Sequence, residues 1–73
     1  MIDRKRYMEL CQYNSVKSGS KMVLYKGFEY EPRKIIIWFD KEGKTRNTGF
    51  LLRNGMAVQA DINDLEEIDG QSD

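Results

Sequence analysis

The sequence predicts an α+β, mainly β fold in which one N-terminal helix precedes a small antiparallel sheet of five strands, closed into a barrel or left as a curved meander. Three observations lead to this prediction. Apolar residues recur at helical spacing only near the start of the chain, they alternate or form short runs from Lys21 onward, and turn residues separate those runs. A chain of 73 residues can bury one small core. We expect one domain over residues 1–68 and a disordered acidic tail over 69–73.

The helix is predicted from Asp3, whose carboxylate can accept hydrogen bonds from the free N–H groups of a first turn. Tyr7, Leu10 and Cys11 share one face of such a helix and form a narrow apolar stripe. The pattern continues to about Ser15, and the segment Ser18-Gly19-Ser20 then interrupts it.

Strand-forming residues follow in two short runs, 22–25 and 28–30, with Gly27 between them as a residue that accepts positive φ. Pro32 has no N–H to give to a strand ladder, so we expect it to separate this bent pair from the next strand. That strand, Lys34 to Phe39, is rich in β-branched and aromatic residues.

Two turns are predicted to connect the strands that follow. Asp40-Lys41-Glu42-Gly43 has the residues of a short hairpin loop before a strand at 45–53. Asn54-Gly55 suits a type I′ turn, which needs positive φ at both central positions, and it returns the chain through 56–60. Residues 61–65 fit one turn of 3₁₀ or α-helix, and 66–68 fit a last short strand. This order of elements over residues 21–68 resembles an SH3-like small barrel, and the resemblance implies a fold without assigning any functional residue.

The predicted turns assign side chains to the two faces of the sheet, because directly paired residues point to the same side. One face then carries an ordinary core of aliphatic and aromatic residues, namely Ile35, Ile37, Phe39, Leu51, Met56, Val58 and Ala60. The opposite face is also apolar, although a solvated face is expected to be polar. We call it the Trp38 face, and its members are Ile36, Trp38, Phe50, Leu52 and Ala57, bordered by Lys34, Arg46, Thr48 and Gln59.

Two interpretations of the Trp38 face are open. The N-terminal helix can lie across it, with its apolar stripe against Trp38 and Phe50. Alternatively, the stripe is too narrow and part of the face binds a protein partner or a second copy of the chain. Trp38 and Arg46 are expected to sit opposite each other, close enough for the guanidinium to lie on the indole ring. The candidate partner-binding residues are Ile36, Trp38, Arg46, Phe50 and Leu52.

The composition argues against an enzyme. There is no histidine, the single Cys11 has no partner base, and the carboxylates at 61, 64, 66 and 67 lack the spacing of a calcium loop. We expect no cofactor and no metal. A lone cysteine, no signal-peptide pattern and no apolar run long enough to span a bilayer predict a cytoplasmic protein without a membrane role.

The leading hypothesis is therefore a small non-enzymatic interaction module. The alternative is a nucleic-acid-binding small barrel. The net charge is zero, but the charges are uneven, since basic side chains predominate up to residue 36 and acidic ones after it. Candidate residues for the alternative are the basic N-terminus and the 40s loop, namely Arg4, Lys5, Arg6, Lys41, Lys44 and Arg46, with Tyr25 and Tyr30 as stacking groups.

Overall fold

The computed structural model describes residues 1–16 and 20–68. Its elements in chain order are α1 (Arg4–Val16), β1 (Val23–Tyr25), β2 (Phe28–Phe39), β3 (Thr45–Arg53), β4 (Met56–Asp61), one 3₁₀ turn (Ile62–Asp64) and β5 (Glu66–Glu67). The strands form one antiparallel sheet in the order β4-β3-β2-β1-β5. The α+β, mainly β class is confirmed, and of the two predicted forms the sheet has the open one, because β4 and β5 lie at opposite edges and do not close into a barrel. The predicted tail over 69–73 lies outside the described residues.

The helix begins where its cap predicts. Asp3 Oδ1 accepts a hydrogen bond from the backbone N–H of Arg6 at 2.8 Å, which satisfies a donor that has no partner inside the helix. Tyr7 and Leu10 are buried and Cys11 is half-buried, as the apolar stripe indicates. The helix ends at Val16. Of the predicted break at 18–20, Ser18 and Gly19 lie outside the described residues.

The prediction that Pro32 separates two strands is wrong, because Pro32 lies inside β2. The strand runs without interruption through twelve residues and shifts its register against β3 between Pro32 and Lys34. β1 pairs with β2 only as far as Tyr30, so the second edge of β2 has no neighbouring strand at Pro32 among the described residues. A proline is tolerated there because sheet edges and bulges need fewer N–H donors than a central ladder.

The turns hold the conformations that their residues favour. Asn54 and Gly55 have φ of 51° and 81°, as a type I′ turn requires, and the predicted pairs between β3 and β4 are confirmed from Arg53 with Met56 to Gly49 with Ala60. The first hairpin uses the same device, since Lys26 joins Gly27 at positive φ. Sequence reasoning identified only the glycine there.

The core lies between the helix and the sheet face that carries Leu51 and Ala60. A Cβ built on Gly49 would lie 2.7 Å from Tyr7 Oη, so the hydroxyl end of the tyrosine ring packs directly against the glycine. The Tyr7 hydroxyl donates to the backbone carbonyl of Phe50 at 2.9 Å and lies 3.2 Å from that of Lys34. Other fully buried members of this core are Ile2, Leu10, Val23, Ile62 and Leu65.

This placement of the helix corrects the interpretation in which the helix covers the Trp38 face. Both faces of the sheet are apolar, and on the face with Gly49 the absence of a side chain leaves room for the Tyr7 ring from the helix. The helix therefore packs on the ordinary core face. A buried amide fastens its last turn, since Asn14 Nδ2 donates to the carbonyls of Lys21 and Pro32 and Asn14 Oδ1 accepts from the N–H of Lys21. Within residues 1–16 and 20–68, no helix has the length and apolar character needed to cross a membrane.

Candidate interaction surface

The Trp38 face is assembled by the register of β2 against β3. Trp38 pairs with Arg46, Ile36 with Thr48 and Lys34 with Phe50, so these side chains point to the side of the sheet opposite the helix. Leu52 continues the same face beside Glu31, and Ala57 follows it on β4. The structure thus brings all five candidate partner-binding residues onto one surface, as the sequence predicted.

The exposure of these residues is graded along the strands. Ile36 and Trp38 each leave 45% of their surface in water, although side chains of this kind favour burial. Phe50 and Leu52 are half-buried, and the Lys34 ammonium lies 4.9 Å from the centre of the Phe50 ring. The lysine covers part of the aromatic surface while its charge stays solvated. The most accessible large apolar side chains of the Trp38 face are therefore Ile36 and Trp38.

Arg46 lies opposite Trp38, as predicted, but the expected stacking of the guanidinium on the indole does not form. Arg46 Nε is 2.9 Å from Asp40 Oδ2, and Trp38 Nε1 donates to Thr48 Oγ1 at 2.9 Å. A carboxylate offers a charged acceptor, which is stronger than the face of a partly solvated ring. Backbone N–H donation from Lys44, together with Arg46, holds the pKa of Asp40 below its ordinary value. Arg46 therefore braces the hairpin loop.

The outer part of β2 carries exposed apolar side chains on both faces of the sheet. Ile37 is 45% exposed and Phe39 is 70% exposed, although both lie on the same face of the sheet as the core residues. The predicted core membership of Ile37 and Phe39 is wrong, because the pairing rule assigns a face and does not say how far the covering helix extends. Met56, which was also assigned to the core, is 69% exposed at the opposite end of that face. The five residues Ile35–Phe39 thus form an apolar arm.

The basic residues of the nucleic-acid alternative are only partly gathered. Arg4 Nε contacts Asn47 Oδ1 at 2.9 Å, which brings the start of the helix to β3. Arg6 Nε lies 2.7 Å from Glu67, and this hydrogen bond raises the pKa of the guanidinium further above its ordinary value. Lys5, Lys41 and Lys44 are exposed. The two tyrosines proposed for stacking pack edge to face on each other, with ring centroids 5.8 Å apart.

One aromatic and cationic cluster was missed by the sequence reasoning. The Arg53 guanidinium lies 4.8 Å from the Phe28 ring centre and 5.9 Å from that of Tyr30, and it donates to the carbonyl of Glu29. It borders a groove of about 220 Å³ that Met56 and Val58 also line. The turn at 54–55 pairs Arg53 with Met56, but nothing local in the sequence brings Phe28 to them.

The cysteine and the acidic residues near the C-terminal end of the sheet have structural roles. Burial raises the pKa of the Cys11 thiol above its ordinary value, which disfavours the nucleophilic thiolate. Asp61 Oδ1 caps the 3₁₀ turn by accepting from the N–H of Asn63 at 2.9 Å. The described part of the chain has no group of three or more metal-ligating side chains placed to hold an ion.

Comparison with protein-family models, with curated proteins and with solved structures finds no match to this chain.

Proposed function

We propose that the protein is a small non-enzymatic interaction module that binds another protein chain through the Trp38 face. The observation that carries this proposal is that the helix packs on the opposite face, so that Ile36 and Trp38 stay 45% exposed. Fully burying an aliphatic or aromatic side chain stabilises by about 1.5–3 kcal/mol, and a partner that covers these two recovers part of that energy.

The chemistry of the surface favours a protein partner. Its centre is an aliphatic and aromatic patch, and its border carries the ion pair between Arg46 and Asp40 and the lysine on Phe50. An apolar centre with a polar rim is the usual composition of a protein interface, and tryptophan is among the residues that contribute most to binding. The expected partner presents a complementary apolar side chain that packs against Trp38.

The test compares two serine substitutions. Trp38→Ser removes the proposed anchor, whereas Met56→Ser removes an even more exposed apolar side chain from the other face. Proteins recovered with the tagged wild-type chain from its native cells are purified, and their affinity for each variant is measured. We expect Trp38→Ser to weaken the binding about 30-fold, which corresponds to a hot-spot contribution of about 2 kcal/mol, and Met56→Ser to leave it unchanged. The proposal fails if folded Trp38→Ser keeps the partners and affinity of the wild type.

The alternative proposal is nucleic-acid binding by the helix start and the 40s loop. The contact between Arg4 and Asn47 favours it, because it places the two basic segments on neighbouring surface. The pairing of Arg46 with Asp40 and of Arg6 with Glu67 counts against it, because those carboxylates compete with phosphates. Binding of labelled single- and double-stranded oligonucleotides at low salt is the measurement, with the double variant Lys41→Gln/Lys44→Gln expected to lose it. No binding by the wild type refutes this alternative.

Two finer points, the relationship in fold and the cellular location, belong to the same proposal. We propose a relationship in fold to SH3-like small barrels, which the strand order β4-β3-β2-β1-β5 supports. We propose a cytoplasmic location on the basis of the lone Cys11, because a reducing compartment does not demand a disulfide partner for it.

A further inference from the structure

β2 has an open edge over the arm. β1 pairs with β2 only from Phe28 to Tyr30, whereas β3 pairs with it as far as Phe39. Among the described residues, no strand lies along the second edge of β2 beyond Glu31. The backbone N–H and C=O groups that point to this side can therefore pair with another strand.

The composition of this edge does not protect it. Charged residues, proline and glycine normally discourage strand addition at an exposed edge. Here Ile35–Phe39 contains none of them, and its members are β-branched or aromatic. Charges occur only at the two ends, where Lys34 precedes the apolar run and Asp40 follows it.

We infer that two copies of the chain associate by antiparallel pairing of their β2 edges around a twofold axis at Ile37. In this register Ile37 meets its own copy, Ile36 lies opposite Trp38, and Ile35 lies opposite Phe39. Every pair joins residues of the same face, as directly paired antiparallel residues must. A twofold axis uses the same surface on both copies and closes the assembly at two chains.

Charge complementarity at the ends supports a second copy as the occupant. The same register sets Lys34 of each copy opposite Asp40 of the other. Lys34 lies on the side of the sheet with Trp38, and the Asp40 carboxylate, just after β2, contacts Arg46 of that side. The pairing therefore forms two cross-strand pairs of opposite charge. A second copy in antiparallel orientation presents the same apolar run with the charges in reverse order, so each lysine meets an aspartate.

A groove beside the edge supplies the second argument. It has a volume of about 440 Å³ and lies between the helix and β2, where Met8, Cys11 and Ile35 are among its lining residues. Phe39 is the most exposed residue of the arm at 70%, and in the inferred register it lies opposite Ile35 of the other copy. The ring can therefore enter this groove and cover Met8, which is 48% exposed.

The inference goes beyond the proposed function, because it concerns the edge of the sheet and leaves the Trp38 face accessible. Pairing of the edges joins the Trp38 faces of two copies into one continuous surface, with Ile36 of one copy beside Trp38 of the other. The dimer therefore presents a binding surface of twice the width. A chain that fails to dimerise can still bind a partner through Trp38, so the two proposals fail separately.

The test uses the full chain in sedimentation experiments and in disulfide trapping. We expect the wild type to sediment with twice its chain mass of 8.6 kDa. Ile37→Lys sets two like charges at the axis and is expected to raise the dissociation constant at least tenfold. Lys34→Glu, which replaces both opposite-charge pairs by like-charge pairs, is expected to weaken the dimer in a salt-dependent way and keeps the test valid if Ile37→Lys fails to fold.

Trapping tests the register. In a Cys11→Ala background, Ile37→Cys is expected to form a linked dimer under mild oxidation, because only a residue on the axis meets its own copy. Met56→Cys is the control, since residue 56 is at least as exposed but lies on β4. A monomeric wild type overturns the inference. So does a dimer that persists in both charge variants, or equal trapping at positions 37 and 56.

Discussion

The contact between Gly49 and Tyr7 makes a quantitative prediction about stability. Replacing Gly49 by alanine places a Cβ 2.7 Å from Tyr7 Oη and 2.8 Å from Cζ, which is closer than packed atoms approach. Gly49 does not have positive φ, so the backbone accepts alanine and the penalty is steric. The ring is fully buried and cannot swing into solvent.

The magnitude follows from three effects. Forcing one extra methyl group into a packed core costs about 1–3 kcal/mol. Displacing the ring also weakens the hydrogen bond that its hydroxyl donates to the carbonyl of Phe50, worth about 1 kcal/mol. Alanine lowers the conformational entropy of the unfolded chain, which stabilises the folded state by about 0.4–1 kcal/mol. We expect Gly49→Ala to lower the free energy of unfolding by about 1–3 kcal/mol, or the Tm by about 4–8 °C for each kcal/mol.

Urea unfolding followed by circular dichroism measures this effect, and Tyr7→Phe provides the matched partner in a double-mutant cycle. The phenylalanine lacks the oxygen that the new methyl group meets first. The double variant should therefore be more stable than the sum of the single effects by at least about 0.5 kcal/mol. A Gly49→Ala variant within about 0.5 kcal/mol of the wild type, or two strictly additive effects, would refute the packing described here.

Three further predictions concern groups whose roles are local. Asn14→Asp should lower the free energy of unfolding by about 2–4 kcal/mol, because a carboxylate of the same shape cannot donate to the carbonyls of Lys21 and Pro32. Urea titrations at neutral pH measure this loss, and a variant as stable as the wild type contradicts the buried amide network. Burial raises the pKa of Tyr7 in the folded state. The stability that Tyr7 contributes is therefore complete below the pKa of about 10 in the unfolded chain and is lost as pH rises above it. Between about pH 9 and 11 the free energy of unfolding should fall more steeply with pH for the wild type than for Tyr7→Phe, and equal slopes refute this. Gly55→Ala should cost about 1–2 kcal/mol through positive φ alone, since nothing lies within 4 Å of the added Cβ, and thermal melts should show no rescue by Tyr7→Phe, which distinguishes this cost from the one at Gly49.

Much of the candidate surface could be predicted from the sequence. The turn at Asn54-Gly55 sets the register of β3 against β4, and the loop after Asp40 sets that of β2 against β3. Register assigns every side chain to a face, so the sequence predicts that Trp38 and Phe50 lie on the same face. The cluster of Arg53 with Phe28 could not be predicted in the same way, because it joins residues that no single turn relates.

The sequence by itself determined the helix cap at Asp3, the turns, the strands after Pro32 and the division of side chains between two faces, because each follows from interactions among residues close in the chain or paired across one turn. Only the tertiary structure decided which apolar face the helix covers. That choice depends on the fit of the Tyr7 ring over Gly49. It also depends on the backbone carbonyls of Lys34 and Phe50, 27 and 43 residues away, which lie within hydrogen-bond distance of the Tyr7 hydroxyl. The tertiary structure also decided that Pro32 stays within β2, because the edge beside it has no neighbouring strand among the described residues.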